Sequence, residues 1–286
     1  MQTFVYHEPT QLDEAFALLD THGDDAQLLA GGTALVLLMR LGLALPGHVI
    51  GLRKIGGMRE IGILADGGLE IGALVTHAEI ERSALVERFF APLARTFGAV
   101  ATVRIRNQAT IGGNLAHADP ASDPPPMLMA LDAQIVVASH GAIRTIAAAD
   151  FFAGIFETVL QPGEIITAIR IPPPAAGTRG AYVKFLPASK DDFATISVAA
   201  VVRTARDGTC EHARIALGAA AAMPVRARRA EELLVGRAFS FDAIREAATV
   251  VGDEIDPLDD ARGSAAYKRK VARVWARRAL EELAQR

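Results

Sequence analysis

Apolar residues recur at Leu12, Ala15, Phe16 and Leu19, the i, i+3, i+4, i+7 spacing of one helical face. Thr10-Gln11-Leu12-Asp13 has the form of a capping box ahead of them, and Gly23 supplies a stop signal. Residues 27–30 are a short apolar run that predicts a buried strand. A helix is expected over 33–41 and a second strand over 48–52, so residues 1–55 read as a small α/β unit. The pattern then changes. Asp66-Gly67-Gly68 separates the apolar runs 61–64 and 69–73, which predicts a hairpin. Thr76-His77-Ala78-Glu79 is a second capping-box pattern and opens a short helix, with another expected over 92–98. Residues 103–108 lead into a glycine stretch. A helix is expected over 124–131, because proline suits a first helical turn. Residues 134–138 and 142–146 predict strands on either side of Ser139-His140-Gly141, and 164–171 alternates as a further strand. Residues 56–175 therefore read as α+β with a mixed or antiparallel sheet.

Pro172-Pro173-Pro174-Ala175-Ala176-Gly177 is the best linker, since proline both blocks strand pairing and stiffens the chain. Beyond it, strands are predicted over 182–185, 195–203 and 213–219, with Asp207-Gly208 turning between the last two. Helices follow over 227–235, 241–251 and 265–283, the last with a stripe of Tyr267, Val271, Val274 and Leu280. The predicted fold class is α+β: a two-part domain over 1–175, divided near residue 55, then a smaller domain over 178–286. The smaller domain is expected to be a three-stranded antiparallel sheet backed by helices.

Composition narrows the function classes. Half of the 286 residues are apolar, ample for a sizeable core, yet no apolar run is long enough to span a membrane. No basic-then-apolar leader opens the chain, so no secretory signal is expected. A net charge of −3 with mixed signs gives no nucleic-acid footprint, and Arg226-Ala227-Arg228-Arg229 reads as a solvated helix face. The one cysteine, Cys210, excludes a disulfide framework, a cysteine-rich zinc site and an internally ligated iron–sulfur cluster. It reads as an inert strand-end residue, and a reducing cytoplasm fits. No histidine–glutamate pair has metal spacing, so no metal ligands are predicted.

Two glycine pairs carry the candidate chemistry: Ala30-Gly31-Gly32-Thr33-Ala34, and Thr110-Ile111-Gly112-Gly113-Asn114 running on to Asp123. Paired glycines let a backbone approach a ligand closely, and a helix N-terminus beyond them favours a phosphate. Two such loops suit a pyrophosphate gripped from two sides. Thr33, Thr110 and Asn114 carry hydrogen-bond donors, although Thr33 serves equally well as an N-cap. Asp119 and Asp123 suit either a ribose or ring contact or a turn, and His117 either a cofactor contact or a structural hydrogen bond. Neither loop is a G-x-G-x-x-G or a Walker motif, and no Ser/His/Asp triad is evident. The chain offers a place for a redox cofactor but few groups to do chemistry themselves, as in flavoproteins. No catalytic side chain is predicted.

These residues resemble the FAD-binding medium subunits of molybdenum hydroxylases, nearest to the carbon monoxide dehydrogenase branch, with the xanthine dehydrogenase flavin domain a more distant relative. The resemblance spans Tyr6-His7-Glu8-Pro9-Thr10, the first glycine loop through Leu41-Gly42, the stretch from Ile105 to Asp123, Tyr182-Val183-Lys184-Phe185 and Ala266-Tyr267-Lys268-Arg269. It implies a two-part FAD-binding region of the vanillyl-alcohol oxidase-like (PCMH) type and a C-terminal flavoprotein domain. It further implies that Ala30, Gly31, Gly32, Thr33 and Ala34, with Thr110, Ile111, Gly112, Gly113 and Asn114, wrap the FAD pyrophosphate. By the same resemblance Asp123 contacts the cofactor, Lys184 lies near the flavin, and Ile165 or Ile166 packs against it. Relatives commonly carry two hydroxyl or amide side chains where this chain has Thr33-Ala34, so one is missing. Pro187-Ala188-Ser189-Lys190 stands where an arginine often precedes the Asp191-Asp192 pair, and no arginine role is carried over.

The implied function is electron relay. A large molybdopterin subunit oxidises the substrate, a small subunit with [2Fe–2S] clusters passes electrons on, and this subunit's FAD delivers them to a quinone, a cytochrome or NAD. The assembly would be a dimer of heterotrimers. A stand-alone FAD-dependent oxidase and an FAD-less assembly subunit are the alternatives. Gly112→Val is expected to abolish FAD retention.

Overall fold

The structure, a computed structural model, describes residues 2–285 apart from 188 and 190. Two residues of the Pro187-Ala188-Ser189-Lys190 departure thus lie outside the described residues. The first unit is a three-stranded parallel sheet in the order β1-β3-β2, formed by β1 (Val5–His7), β2 (Ala26–Leu29) and β3 (His48–Gly51). Helix α1 (Leu12–His22) buries Ala15 and Phe16, the middle of the predicted apolar stripe. Its expected capping box does not form. The helix begins one residue later than the box requires, so Gln11 occupies the N-cap without a side-chain bond. Glu14 instead accepts the Thr10 N–H at 2.7 Å. The second helix, α2 (Leu35–Arg40), is shorter than expected, because Gly32 has φ +73° and the chain stays irregular to Ala34.

The middle unit is a five-stranded antiparallel sheet in the order β4-β5-β10-β6-β7, with a small separate hairpin. Its strands are β4 (Ile61–Ile63), β5 (Leu69–Gly72), β6 (Gln134–Ser139), β7 (Ala142–Ala147) and β10 (Ile165–Ile171); β8 (Phe152–Gly154) and β9 (Glu157–Thr158) form the hairpin. Five helices pack around this sheet: α3 (His77–Arg82), α4 (Ala84–Gly98), α5 (Val103–Arg106), α6 (Ile111–His117) and α7 (Pro124–Ala130). The capping box at Thr76 forms in full. Within α4 the backbone leaves helical geometry at Phe90, two residues before Pro92, so the expected helix over 92–98 continues an earlier turn across a kink.

After residues 172–177 the chain enters a sheet of β11 (Thr178–Phe185), β12 (Ile196–Thr204), β13 (Cys210–Gly218) and β14 (Val225–Arg226). The sheet therefore has a fourth strand that the sequence did not predict. It is two residues long and pairs with Ala216 and Leu217 as the chain folds back towards α8 (Arg228–Leu234). Helices α9 (Phe241–Val251) and α10 (Ala265–Ala284) complete the backing layer. Strand β12 is apolar on both faces. Val198, Ala200 and Val202 join the core beneath α8 to α10, while Ala199 and Val201 join the core of the two preceding units. The C-terminal sheet thus closes one side of the core in front of it.

Candidate functional site

Strand β2 runs directly into the first glycine loop, and α6 begins in the second. The loops meet. A Cβ on Gly31 would drive into the backbone carbonyl of Gln108, and one on Gly113 would stand 3.6 Å from Ala30 Cβ. Between them lies a cavity of about 440 Å³. Ten predicted residues line it: Ala30, Gly31, Gly32, Thr33, Ala34, Thr110, Gly112, Gly113, Asn114 and Ile165. Ile111 stands behind the wall, fully buried in the core.

The two loops offer a ligand different things. In the second, the first N–H groups of α6 are already engaged. Ile111 N–H donates to Val75 O at 3.0 Å, Gly112 N–H to Ala73 O at 2.9 Å, and Gly113 N–H to the Thr110 hydroxyl at 3.2 Å. Asn114, expected to donate its amide outward, is hydrogen-bonded to the Ser122 hydroxyl at 2.7 Å. In the first loop, no hydrogen bond among the described residues engages the N–H groups of Gly31, Gly32, Thr33 or Ala34. Thr33 is not the N-cap of α2, since Ala34 holds that position. These four residues of the first loop, with the Thr33 hydroxyl, line a cavity with no lysine or arginine in its wall among the described residues. That set suits a phosphate held by dipoles rather than by cations.

Much of the rest of the wall comes from the predicted helix after the first loop, from the predicted strand around Ile165 and Ile166, and from Leu160 and Gly163, for which no element was predicted. Leu35 and Leu38 of α2, Leu160, Gly163 and Ile166 add apolar surface. His117 lines the cavity with its ring 5.1 Å from that of Phe156. Glu164 lies at the edge, but its carboxylate is held by Arg144 at 2.6 and 2.7 Å, and this pairing keeps it below the usual range. Asp119 makes a turn contact, accepting the Ala121 N–H at 2.8 Å.

Asp123 and Lys184 lie apart from this cavity and form a buried ion pair at 2.8 Å, with side chains 4% and 6% exposed. Tyr182 donates its hydroxyl to the other Asp123 oxygen at 2.5 Å, and Lys184 also donates to Ala99 O at 3.0 Å. Burial pushes the Asp123 carboxyl up against the opposing pull of Lys184. Lys184 borders a second hollow of about 580 Å³ beside Ala99, Thr102 and Arg104. Cys210 is buried, its thiol pushed up by that burial, and it lines neither cavity.

Residues 2–174 match the family described as FAD binding domain in molybdopterin dehydrogenase, and residues 181–283 that described as CO dehydrogenase flavoprotein C-terminal domain. The chain is 39% identical to the carbon monoxide dehydrogenase medium chain of Afipia carboxidovorans, over 98% of this chain and 96% of that one. It is 31% identical to the alpha subunit of the 6-hydroxypseudooxynicotine dehydrogenase complex of Paenarthrobacter nicotinovorans, over 99% and 95%. It also superposes on a chain of the carbon monoxide dehydrogenase of Hydrogenophaga pseudoflava with a TM-score of 0.94 at 38% identity, covering 98% and 96%.

Proposed function

The chain belongs to the FAD-binding family of the molybdopterin dehydrogenases, as a counterpart of the carbon monoxide dehydrogenase medium chains, and from that premise we propose that it holds FAD between its two glycine loops. The observation that carries this reading is the set of unengaged N–H groups from Gly31 to Ala34, four residues lining a cavity without a lysine or arginine among the described residues of its wall. Ala30, Gly31, Gly32, Thr33 and Ala34 take the pyrophosphate oxygens. Thr110, Gly112, Gly113 and Asn114 close the opposite side, braced from behind by Ile111. Ile165 and Ile166 give apolar surface to a flat ring. Asp123 and Lys184 support the cofactor from the junction with the C-terminal sheet. Bound FAD supplies the electron-carrying chemistry that none of these side chains provides.

As an oxidoreductase subunit, the chain takes electrons from [2Fe–2S] clusters in a small partner and passes them to an external quinone, cytochrome or NAD. Substrate oxidation lies with a large molybdopterin partner, in a cytoplasmic dimer of heterotrimers. The single cysteine supports this division, since one thiolate cannot hold a cluster. So does the cavity wall, where the titratable residues among those described are His117 and the Arg144-bound Glu164, which offer no free acid–base pair for an oxidase of its own.

The test is purification of the native complex with flavin, iron and molybdenum analysis, alongside assays of the chain alone. One FAD per chain, co-purifying iron and molybdenum, and no substrate turnover by the isolated chain are expected. Substrate turnover by the isolated chain would make it a stand-alone oxidase. A complex without flavin would make it an assembly subunit.

A further inference from the structure

Away from the FAD cavity, three half-buried histidines from three different elements converge: His7 at the end of β1, His22 at the end of α1 and His48 at the start of β3. Their ligating nitrogens all lie within 4.8 Å of one another. His7 Nε2 is 2.9 Å from His48 Nδ1, and the His22 ring stacks on His48 with centroids 3.6 Å apart and planes 13° from parallel. We propose that these three imidazoles form a divalent transition-metal site, with Zn²⁺ as the fitting ion and solvent in the fourth position.

Three arguments support the assignment. Imidazole is a ligand of choice for zinc, and three of them with an open fourth position are an established donor set for this ion. Zn–N bonds of about 2.0–2.1 Å in a tetrahedron place ligand nitrogens roughly 3.4 Å apart. The separations here, from 2.9 Å to no more than 4.8 Å, bracket that value, and closing the site requires the His22 ring to turn out of its stack on His48 so that its lone pair points at the ion. His22 is also the last residue of α1, where the helix dipole favours a cation. The nearby Asp25 carboxylate adds negative charge, with its Oδ1 already committed to the Gly47 N–H at 2.8 Å.

The consequence is structural. A metal here ties the end of α1 to two strands of the parallel sheet. Strand β2 follows three residues after His22 and carries the chain straight into the Ala30 to Ala34 loop. The ion would therefore brace the unit that presents the open N–H groups. This inference is independent of whether FAD binds.

The test uses the full-length, untagged chain, stripped of metal with a chelator. Titration with Zn²⁺ should show one site per chain and a raised melting temperature. Co²⁺ in its place should show the visible bands of a tetrahedral, nitrogen-ligated ion. His22→Ala leaves the His7–His48 contact in place and should fold, yet bind Zn²⁺ at least roughly tenfold more weakly, because even second-shell changes cost that much. It should also lose the Co²⁺ bands. His48→Ala should behave likewise. A wild-type chain that takes up no stoichiometric Zn²⁺, or variants that bind it as tightly as the wild type, would overturn the proposal.

Discussion

At Gly112, a Cβ would stand 2.7 Å from Ala73 Cβ and 2.8 Å from Ala73 O. The obstacle is Ala73, its methyl group and its backbone together, so the glycine is required by the packing of α6 against the end of β5 rather than by room for a pyrophosphate. Gly112→Val should accordingly destabilise the chain even without cofactor, by about 1–3 kcal/mol or more from overpacking. Thr33→Val separates the two effects, because Thr33 neither caps α2 nor enters the core. It should leave the unfolding midpoint of the apo chain unchanged while weakening FAD binding by about 1 kcal/mol, roughly fivefold. Denaturant unfolding and FAD titration of both variants check this. A Gly112→Val chain of wild-type apo stability would return the glycine to a cofactor role.

At the scale of the element, α3 and α6 are held together by their starts. His77 N–H donates to Ala109 O and Ile111 N–H to Val75 O, so the Thr76 capping box also positions the second glycine loop. The price is a fully buried His77. Its ring packs edge-on against Phe97, and neither nitrogen makes a hydrogen bond of good geometry among the described residues, the nearby Thr110 backbone only weakly opposing the effect of burial. Burial lowers its pKa from 6.5 to about 4. An unfolded chain takes up this proton near 6.5, whereas the folded chain refuses it until about 4. Below 6.5 the unfolded state therefore binds more protons. The associated stability is complete above pH 6.5 and is lost as pH falls to 4, amounting to about 3 kcal/mol. Chemical unfolding of wild type and His77→Leu across this window should show a steeper acid loss in the wild type. Parallel profiles would mean that His77 is not held neutral.

At the scale of the molecule, the Asp123–Lys184 pair joins the start of α7 to β11 of the C-terminal sheet. Tyr182 and Lys184 are two apart on β11 and so project from the same face. Removing one partner leaves the other's charge buried without its counter-ion, with only the Tyr182 hydroxyl on Asp123 or the Ala99 carbonyl on Lys184 remaining. Asp123→Ala or Lys184→Met should each cost about 3–5 kcal/mol, whereas the double variant Asp123→Leu/Lys184→Met should cost less than either alone. Urea unfolding of the three variants gives the answer, and additive losses would show that the two residues act separately. The pair works with the two-faced strand β12: the ion pair fixes the position of a sheet whose Ala199 and Val201 belong to the core in front of it.

Local patterns determined a good deal of this protein. The stripe of α1, the span of α9 and the Thr76 capping box depend on neighbouring residues and turn chemistry, and all were readable from spacing alone. Both glycine loops were equally legible as motifs, because close backbone approach leaves glycine as its trace. Spacing could not show what approaches each glycine. Gly112 meets Ala73 and Gly31 meets Gln108, contacts set by how α6, β5 and β2 pack. Nor could it show that the second loop spends its N–H groups on the chain while the first keeps them open, since the Ile111–Val75 and Gly112–Ala73 bonds join residues more than 35 apart and leave no periodic mark. The same holds for Asp123 with Lys184, 61 residues apart, and for His7, His22 and His48. Sequence determined most of the longer elements and the main turns, while short pieces such as β14, held by pairing with a distant strand, escaped it. Tertiary packing decided which donors remain for a ligand, because a backbone N–H is available only where the fold leaves it unpaired.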